Sequence, residues 1–287
     1  MITAKNYAAQ AEASLIVIAN YAPNLIAIPD DCKTLLSIAF TIKNAVHFVL
    51  PDSGFIFNDG LKGIMGRDIK LPFPAITIEF ISTDGSKVLL LVEEIKNVKV
   101  GNELIFGHLK NNNGIKVISI LKQLKNHWEP EPYGFLMPHF HKPNEDGSFN
   151  ITGGSIEVLS NHSQLYTNDD IEASRLNARL SAYFVLELIE ALSCRNVEAS
   201  IHQPASPKNT QRLKSHKLPI YETRFLTIKP TVKEYDKNGK VSTHASPRQH
   251  LRRGHIRRLD SGNIWVNSCV VGDSSKGIID KTYKIIP

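Results

Sequence analysis

Five consecutive apolar residues, VLLLV at Val88–Val92, set the strongest constraint on how this chain folds. A strand turns successive side chains to opposite faces, so a run with no polar member needs cover on both sides and belongs to a central strand. Its neighbours supply the partners. ITIEFIS, KVLLLVEEI, NELIFGHL and GIKVISILKQL are β-rich runs separated by the turn signals TDGS, KVGN and NNNG, and together they read as an antiparallel β-meander from about Leu71 to Phe140. Alternation in IKVIS marks a half-exposed strand. The stretch EPEPYGFLMPHFHKPNEDGSFN, from Glu129, carries four prolines and several turn formers and reads as an extended surface excursion.

Helical periodicity appears on either side of these runs. Asn6–Ala22 has apolar residues recurring at three and four, and Cys32–Leu50 follows Asp30 and Asp31, either of which suits a helix cap. The second segment is rich enough in Ile, Phe and Val to be strand in part, and Pro51 ends it. The longest helix is expected from Asn168 or Asp169 to about Ser193. There Ile171, Leu176, Leu180, Phe184, Leu188 and Leu192, widened by Val185 and Ile189, form a stripe that packs on the sheet. A polar connector, HQPASPKNTQRLKSHKLP, reads as a flexible loop. The fold class is therefore α+β: N-terminal helices, an antiparallel meander, one long central amphipathic helix and a basic C-terminal hairpin region. The expected divisions are 1–160, 161–203 and 204–287, with the first and last sharing one sheet as an alternative.

An apolar fraction of 42% and 22% charged residues suit a globular chain of one large or two modest domains. No apolar run approaches the roughly 18 residues of a membrane helix, so no membrane partner is expected. The N-terminus lacks a small-residue cleavage site after its apolar segment, which argues against a leader. Cys32, Cys194 and Cys269 are too few and too widely spaced for a disulfide framework or a zinc site, and point to reducing cytoplasm. No cofactor and no metal is expected.

Charge is divided unevenly. Residues 1–203 hold 17 Lys+Arg and 22 Asp+Glu, whereas residues 204–287 hold 17 and 6, so a basic C-terminal region follows an acidic body. Such a region concentrates polyanions near it and steers their approach, and nucleic acid is the commonest of these.

Its densest part is SPRQHLRRGHIRRLDSGNIWV, Ser246–Val266, where Arg248, Arg252, Arg253, Arg257 and Arg258 alternate with His250 and His255. If His250–Leu259 is one extended strand, His255 and Arg257 share a face, Asp260–Asn263 make a turn, and the strand containing Trp265 returns beside it. An imidazole and a guanidinium would then converge on one phosphate, with Lys281 or Tyr283 as neighbours. The nucleic-acid-binding set is Arg248, Arg252, Arg253, Arg257, Arg258, Trp265, Lys281 and Tyr283. His250 and His255 are candidate catalytic groups, because metal-independent RNA cleavage needs a proton acceptor, a proton donor and cations at the phosphoryl centre. Similar clusters also serve binding surfaces without chemistry, or ion pairs with an acidic body.

Three other patterns are weaker. His139 and His141 form an H-x-H pair without further ligands, better read as a surface loop; Gly272–Gly277, GDSSKG, reads as a turn rather than a phosphate loop; and alternation turns Glu93 and Glu94 to opposite faces.

The segments LPIYETRFLTI, RRGHIRRL, IWV, VGD and KTYKI, covering about the last 90 residues, resemble a group of uncharacterised bacteriophage- and prophage-encoded proteins. LPFPAITIEF at Leu71–Phe80 is a vaguer match. PKNTQRLKSHKLP departs from the pattern, being less rich in arginine. The resemblance implies a phage origin and life in the cytoplasm of an infected bacterium, and assigns no catalytic residue. The expected function is nucleic-acid binding through the basic hairpin, with ribonuclease activity as an extension. Its alternatives are a non-enzymatic protein binding an acidic host protein of defence or replication, and a virion or assembly component.

Overall fold

The computed structural model describes residues 5–21, 29–57, 70–96, 99–100, 103–104, 114–122, 127–138, 155–158, 168–228, 248–252, 255–266, 269–271 and 273–279. The elements begin with helices α1 (Tyr7–Tyr21) and α2 (Pro29–Asn44), then strands β1 (Val46–Val49), β2 (Ala75–Ile81), β3 (Lys87–Ile95), β4 (Lys99–Val100), β5 (Glu103–Leu104), β6 (Gly114–Lys122), β7 (Trp128–Pro138) and β8 (Ser155–Val158). Helix α3 (Asn168–Leu192), β9 (Val197–His202), α4 (Ser206–Lys214) and β10 (Thr223–Ile228) follow. The chain continues with β11 (Arg248–Arg252), β12 (His255–Leu259), β13 (Gly262–Val266), β14 (Cys269–Val271) and β15 (Asp273–Ile279). Two compact units result: Met1–Glu190 with Ala199–Leu226, and Ala191–Glu198 with Thr227–Pro287.

The first unit is built on an eight-stranded mixed sheet in the order β8-β7-β6-β3-β2-β1-β10-β9. Strand β1 runs parallel to both β2 and β10, while β2, β3, β6, β7 and β8 pair antiparallel. Val88–Val92 of β3 are all buried, because each face of the sheet is covered. Alternation along β2 shows how: Phe80 meets Phe184 of α3 with ring centroids 4.6 Å apart, and Glu79, facing the other way, accepts a hydrogen bond from the Ala8 amide of α1. Helices α1 and α2 cover that second face with Tyr7, Ala8, Ala11, Leu15, Ile38, Ala39 and Ile42, packed on Leu89, Leu91, Ile118 and Ile120. Each large apolar side chain so removed from water contributes roughly 1.5–3 kcal/mol.

Several expectations are corrected here. Of the two readings left open for Cys32–Leu50, strand in part is the one found: helix α2 stops at Asn44, and Val46–Val49 form a strand that β2 and β10 flank on both sides. Strand β6 is not half-exposed: Ile115, Val117, Ile118, Ser119 and Ile120 are buried, and the one hydroxyl among them is satisfied by Ser181 of α3 at 2.7 Å. The proline-rich stretch is a strand, β7, as far as Pro138, with Trp128, Tyr133, Phe135, Leu136 and Met137 buried, and its residues 139–150 lie outside the described residues. Its prolines fit because β8 pairs only with Tyr133–Leu136, and the register with β6 shifts between Ile118 and Ile120, next to the Ile120–Pro130 pair. Of NELIFGHL, Glu103 and Leu104 pair with β4, and residues 102 and 105–109 lie outside the described residues.

Helix α3 has the expected span and part of the expected inner face: Val185 and Leu188 are buried and Phe184 packs on Phe80, but Leu176 and Leu180 are 55% and 45% exposed, and Ser174, Ala178, Ser181, Ala182 and Leu186 are buried as well. Small residues let the helix approach the sheet closely. The same closeness fixes Gly54, whose φ of +79° suits glycine and whose added Cβ would lie 2.8 Å from the rings of both Phe80 and Phe184.

The second unit contains a three-stranded sheet, β14-β11-β15, and the two-stranded hairpin β12-β13. His250–Leu259 is thus not one strand: β11 pairs with β14 and β15, and β12 pairs with β13. Gly272–Gly277, expected to be a turn, lies mostly within β15.

Candidate nucleic-acid interface

The best-defined basic element of the second unit is the β12–β13 hairpin, and residues 193–196 hold it. Arg195 N donates to Asn263 O at 3.0 Å, and the Asn196 side chain mimics a further peptide, its Nδ2 donating to Trp265 O at 2.6 Å and its Oδ1 accepting from Trp265 N at 2.7 Å. Asn263 Nδ2 donates to Ser193 Oγ at 3.2 Å, and Arg195 Nη1 donates to Ser261 O at 3.0 Å. Gly262 is at φ +118°, and an added Cβ would meet the Arg195 Cδ at 2.9 Å, so the guanidinium stem lies against the turn. The hairpin is therefore pinned at its turn and along β13.

Register places the candidate residues as follows. His255 pairs with Val266, Ile256 with Trp265, Arg257 with Ile264 and Arg258 with Asn263. Arg257 is exposed and Trp265 half-buried. His255 and Arg257 lie two residues apart on β12. Arg248, His250 and Arg252 lie on β11, with His250 paired to Val271 and Ile279, so the two histidines belong to different sheets. Arg253, Lys281, Tyr283, His139 and His141 lie outside the described residues. Arg195 and Asn196 went unnoticed in the sequence, where an S-C-R-N tetrapeptide after a helix gives no sign that a hairpin some 65 residues later will dock on it.

A second basic element lies in the first unit. The connector expected to be a flexible loop forms helix α4, followed by a turn fixed by Asn209, whose Oδ1 accepts from Ile220 N at 2.8 Å and whose Nδ2 donates to Ile220 O at 2.9 Å. Lys208, Lys214 and Lys217 are exposed, and Arg212 is half-buried with Nε donating to Leu218 O at 2.7 Å.

Elsewhere in the first unit, a buried polar network surrounds the start of α1. The Glu79 carboxylate caps the helix through the Ala8 amide at 3.0 Å, with the Tyr7 and Asn6 amides also turned to it, and burial still pushes its carboxyl above the ordinary carboxylate range. Beside it, His47 Nδ1 lies 2.7 Å from Thr77 Oγ1, and its ring stacks on Tyr221 with centroids 4.9 Å apart. The Tyr221 hydroxyl donates to Glu12. Burial holds His47 down to about 4 and lifts Tyr7 to about 12. Asn6 completes the anchor, donating to Pro219 O at 3.0 Å and accepting from Tyr221 N at 3.1 Å. These bonds tie α1 to β1, β2 and the approach to β10, which is a structural task.

A cavity of about 330 Å³ opens between α2 and the sheet, lined by Lys33, Thr34, Ser37, Thr41, Glu93 and Lys116 together with Ile38 and Ile118. Among the described residues no group of three or more His, Cys, Asp or Glu side chains is placed to hold a metal ion, and no helix is long and apolar enough to cross a membrane.

The class defined by these elements is α+β, a mixed sheet with helices on both faces joined to a smaller, basic β-rich unit. No protein-family model, curated protein or solved structure matches the chain.

Proposed function

We propose that the protein binds nucleic acid, with the β12–β13 hairpin of the second unit contributing phosphate contacts. One observation carries the reading. The second unit holds 13 Lys+Arg against 6 Asp+Glu, and its hairpin is fixed by hydrogen bonds from residues 193–196 while Arg257 stays exposed. A pinned hairpin presents cations at low entropic cost, which suits ordered phosphate contact better than mere solubility. The resemblance to phage-encoded proteins would place that nucleic acid in an infected bacterial cell.

The test is a titration of labelled single-stranded RNA, single-stranded DNA and duplex DNA at several salt concentrations, with the products run on a gel. Wild type is compared with Arg253→Ala/Arg257→Ala and with His255→Ala. Expected is affinity that falls steeply with salt, with a slope reduced by about 1 for each phosphate contact removed in the arginine variant. Cleavage lost only in the histidine variant would add the ribonuclease activity. Absence of binding at low salt, where phosphate contacts are strongest, would end the proposal, and a protein partner that survives nuclease treatment would reassign the arginines to an acidic protein surface.

A further inference from the structure

Residues 206–217 carry Lys208, Arg212, Lys214 and Lys217 and no carboxylate. The first unit as a whole holds 21 Lys+Arg and 22 Asp+Glu, so this +4 segment stands on a body whose remaining charge is negative. A surface that serves solubility alone intersperses both signs. Among the described residues none of the four cations makes an ion pair.

Nor does core packing explain the helix. Helix α4 has nine residues and buries none of them, and so short a helix is marginal in water by itself. It is held instead by Pro207 in its first turn, by the reciprocal Asn209–Ile220 bonds, by Arg212 Nε on Leu218 O, and by Lys217 N donating to Arg212 O at 2.9 Å. His216 sits at φ +53°, left-handed backbone that is unfavourable for a residue with a Cβ, and so turns the chain at Lys217. The chain thus fixes a cationic element that contributes nothing to the interior.

We infer that α4 and its turn are a sequence-independent contact surface for the phosphodiester backbone of duplex nucleic acid. Lys208 and Arg212, four residues apart, share one face of the helix, while Lys214 lies about 120° around the axis from Lys208 at about 100° per residue, so the segment offers cations by density around a short helix and its turn. No Phe, Tyr or Trp occurs in 206–217, so the surface lacks the large aromatic platforms on which single strands are held. The inference takes its ligand from the nucleic-acid reading above but its geometry from the first unit alone.

The experiment measures affinity and salt slope for a labelled duplex and a labelled single strand between about 50 and 200 mM salt. It uses Lys208→Gln/Lys214→Gln/Lys217→Gln, the same three positions changed to Arg, Arg257→Gln in the hairpin, and a control, Lys70→Gln/Lys87→Gln/Lys96→Gln, that removes equal charge from exposed positions of the same unit. The α4 glutamine variant is expected to lose roughly 10- to 100-fold of duplex affinity at low salt and about 2–3 from the slope, while the arginine version retains both. The control should stay within about twofold of wild type. An α4 variant that behaves like the control overturns the inference, and loss confined to Arg257→Gln does so while leaving the hairpin reading intact. Loss confined to the α4 variant supports the inference and removes the hairpin; a wild type that binds nothing removes both. Preference for the single strand, or competition by polyglutamate as effective as duplex at equal charge, would overturn the assigned occupant.

Discussion

His47 is buried between β2 and β10, stacked on Tyr221 and bonded to Thr77, and nothing in NAVHFVL announces this. Its burial comes from pairing with Thr223, more than 170 residues away, so no local pattern could reveal it. The arginines of 248–258 were conspicuous for the opposite reason: charge density is a property of composition and needs no partner to be seen. Burial holds His47 at about 4, below the ordinary value of 6.5, so the unfolded chain takes up a proton at mildly acid pH that the folded chain refuses. The stability contribution is therefore whole above about pH 6.5 and is lost as pH falls through about 4, to the extent of about 3 kcal/mol at roughly 1.4 kcal/mol per pH unit. Glu79, Glu131 and Glu187, raised by burial, act with the opposite sign: their contribution is whole below the ordinary carboxylate pKa and declines as pH rises. Comparison of wild type with His47→Gln in urea unfolding at pH 7 and pH 4 isolates the histidine, and the difference between them should change by about 3 kcal/mol. A His47 NMR titration with its midpoint near 6.5 would show that the imidazole is not buried as described.

At the scale of elements, strand runs with dense apolar composition were legible, and the inner face of α3 was legible only in its second half, where Phe184, Val185 and Leu188 meet the core. In α3 the leucines at spacings of four made a persuasive stripe, yet Leu176 and Leu180 point to solvent and Ala178, Ser181 and Ala182 meet the sheet. Side-chain size misled because a flat sheet rewards close approach, and that is what small residues provide. Helix α4 was illegible for a different reason: with nine residues and Leu213 as its one large apolar side chain, it is too short to repeat an apolar spacing. The α3 arrangement makes a paired prediction. Ala182→Leu should overpack the helix–sheet contact and cost about 1–3 kcal/mol, whereas Leu180→Ala, although it deletes the larger side chain, should cost well under about 1 kcal/mol. Urea midpoints of the two variants with unchanged m-values check this, and the reverse order would restore the leucine stripe as the inner face.

For the whole molecule, the charge division was visible in the sequence, but it does not coincide with the division into units. The basic region begins at about residue 204, whereas the first unit keeps residues 199–226, because β10 pairs with β1 and brings α4 with it. Long-range parallel pairing of this kind leaves no mark on either strand alone. The consequence is that cations are carried by both units, four of them on α4 and its turn and thirteen Lys+Arg in the second unit. A polyanion that engages them more tightly in the folded chain than in the unfolded one should raise the melting temperature by an amount set by its concentration relative to Kd, at most about 2.7 kcal/mol of stabilisation at a concentration about a hundred times Kd. With about six phosphate contacts, affinity falls by roughly a thousandfold between 50 and 200 mM salt, and the gain in melting temperature should vanish over that range. Inorganic phosphate at the same phosphate concentration should give no comparable gain, since release of condensed counterions requires a polymer. Thermal unfolding with duplex DNA, with inorganic phosphate and with neither, at both salt concentrations, checks the argument. A shift that persists at high salt would mean that apolar or base-specific contacts dominate, and equal shifts from DNA and free phosphate would reduce the interaction to a single anion site.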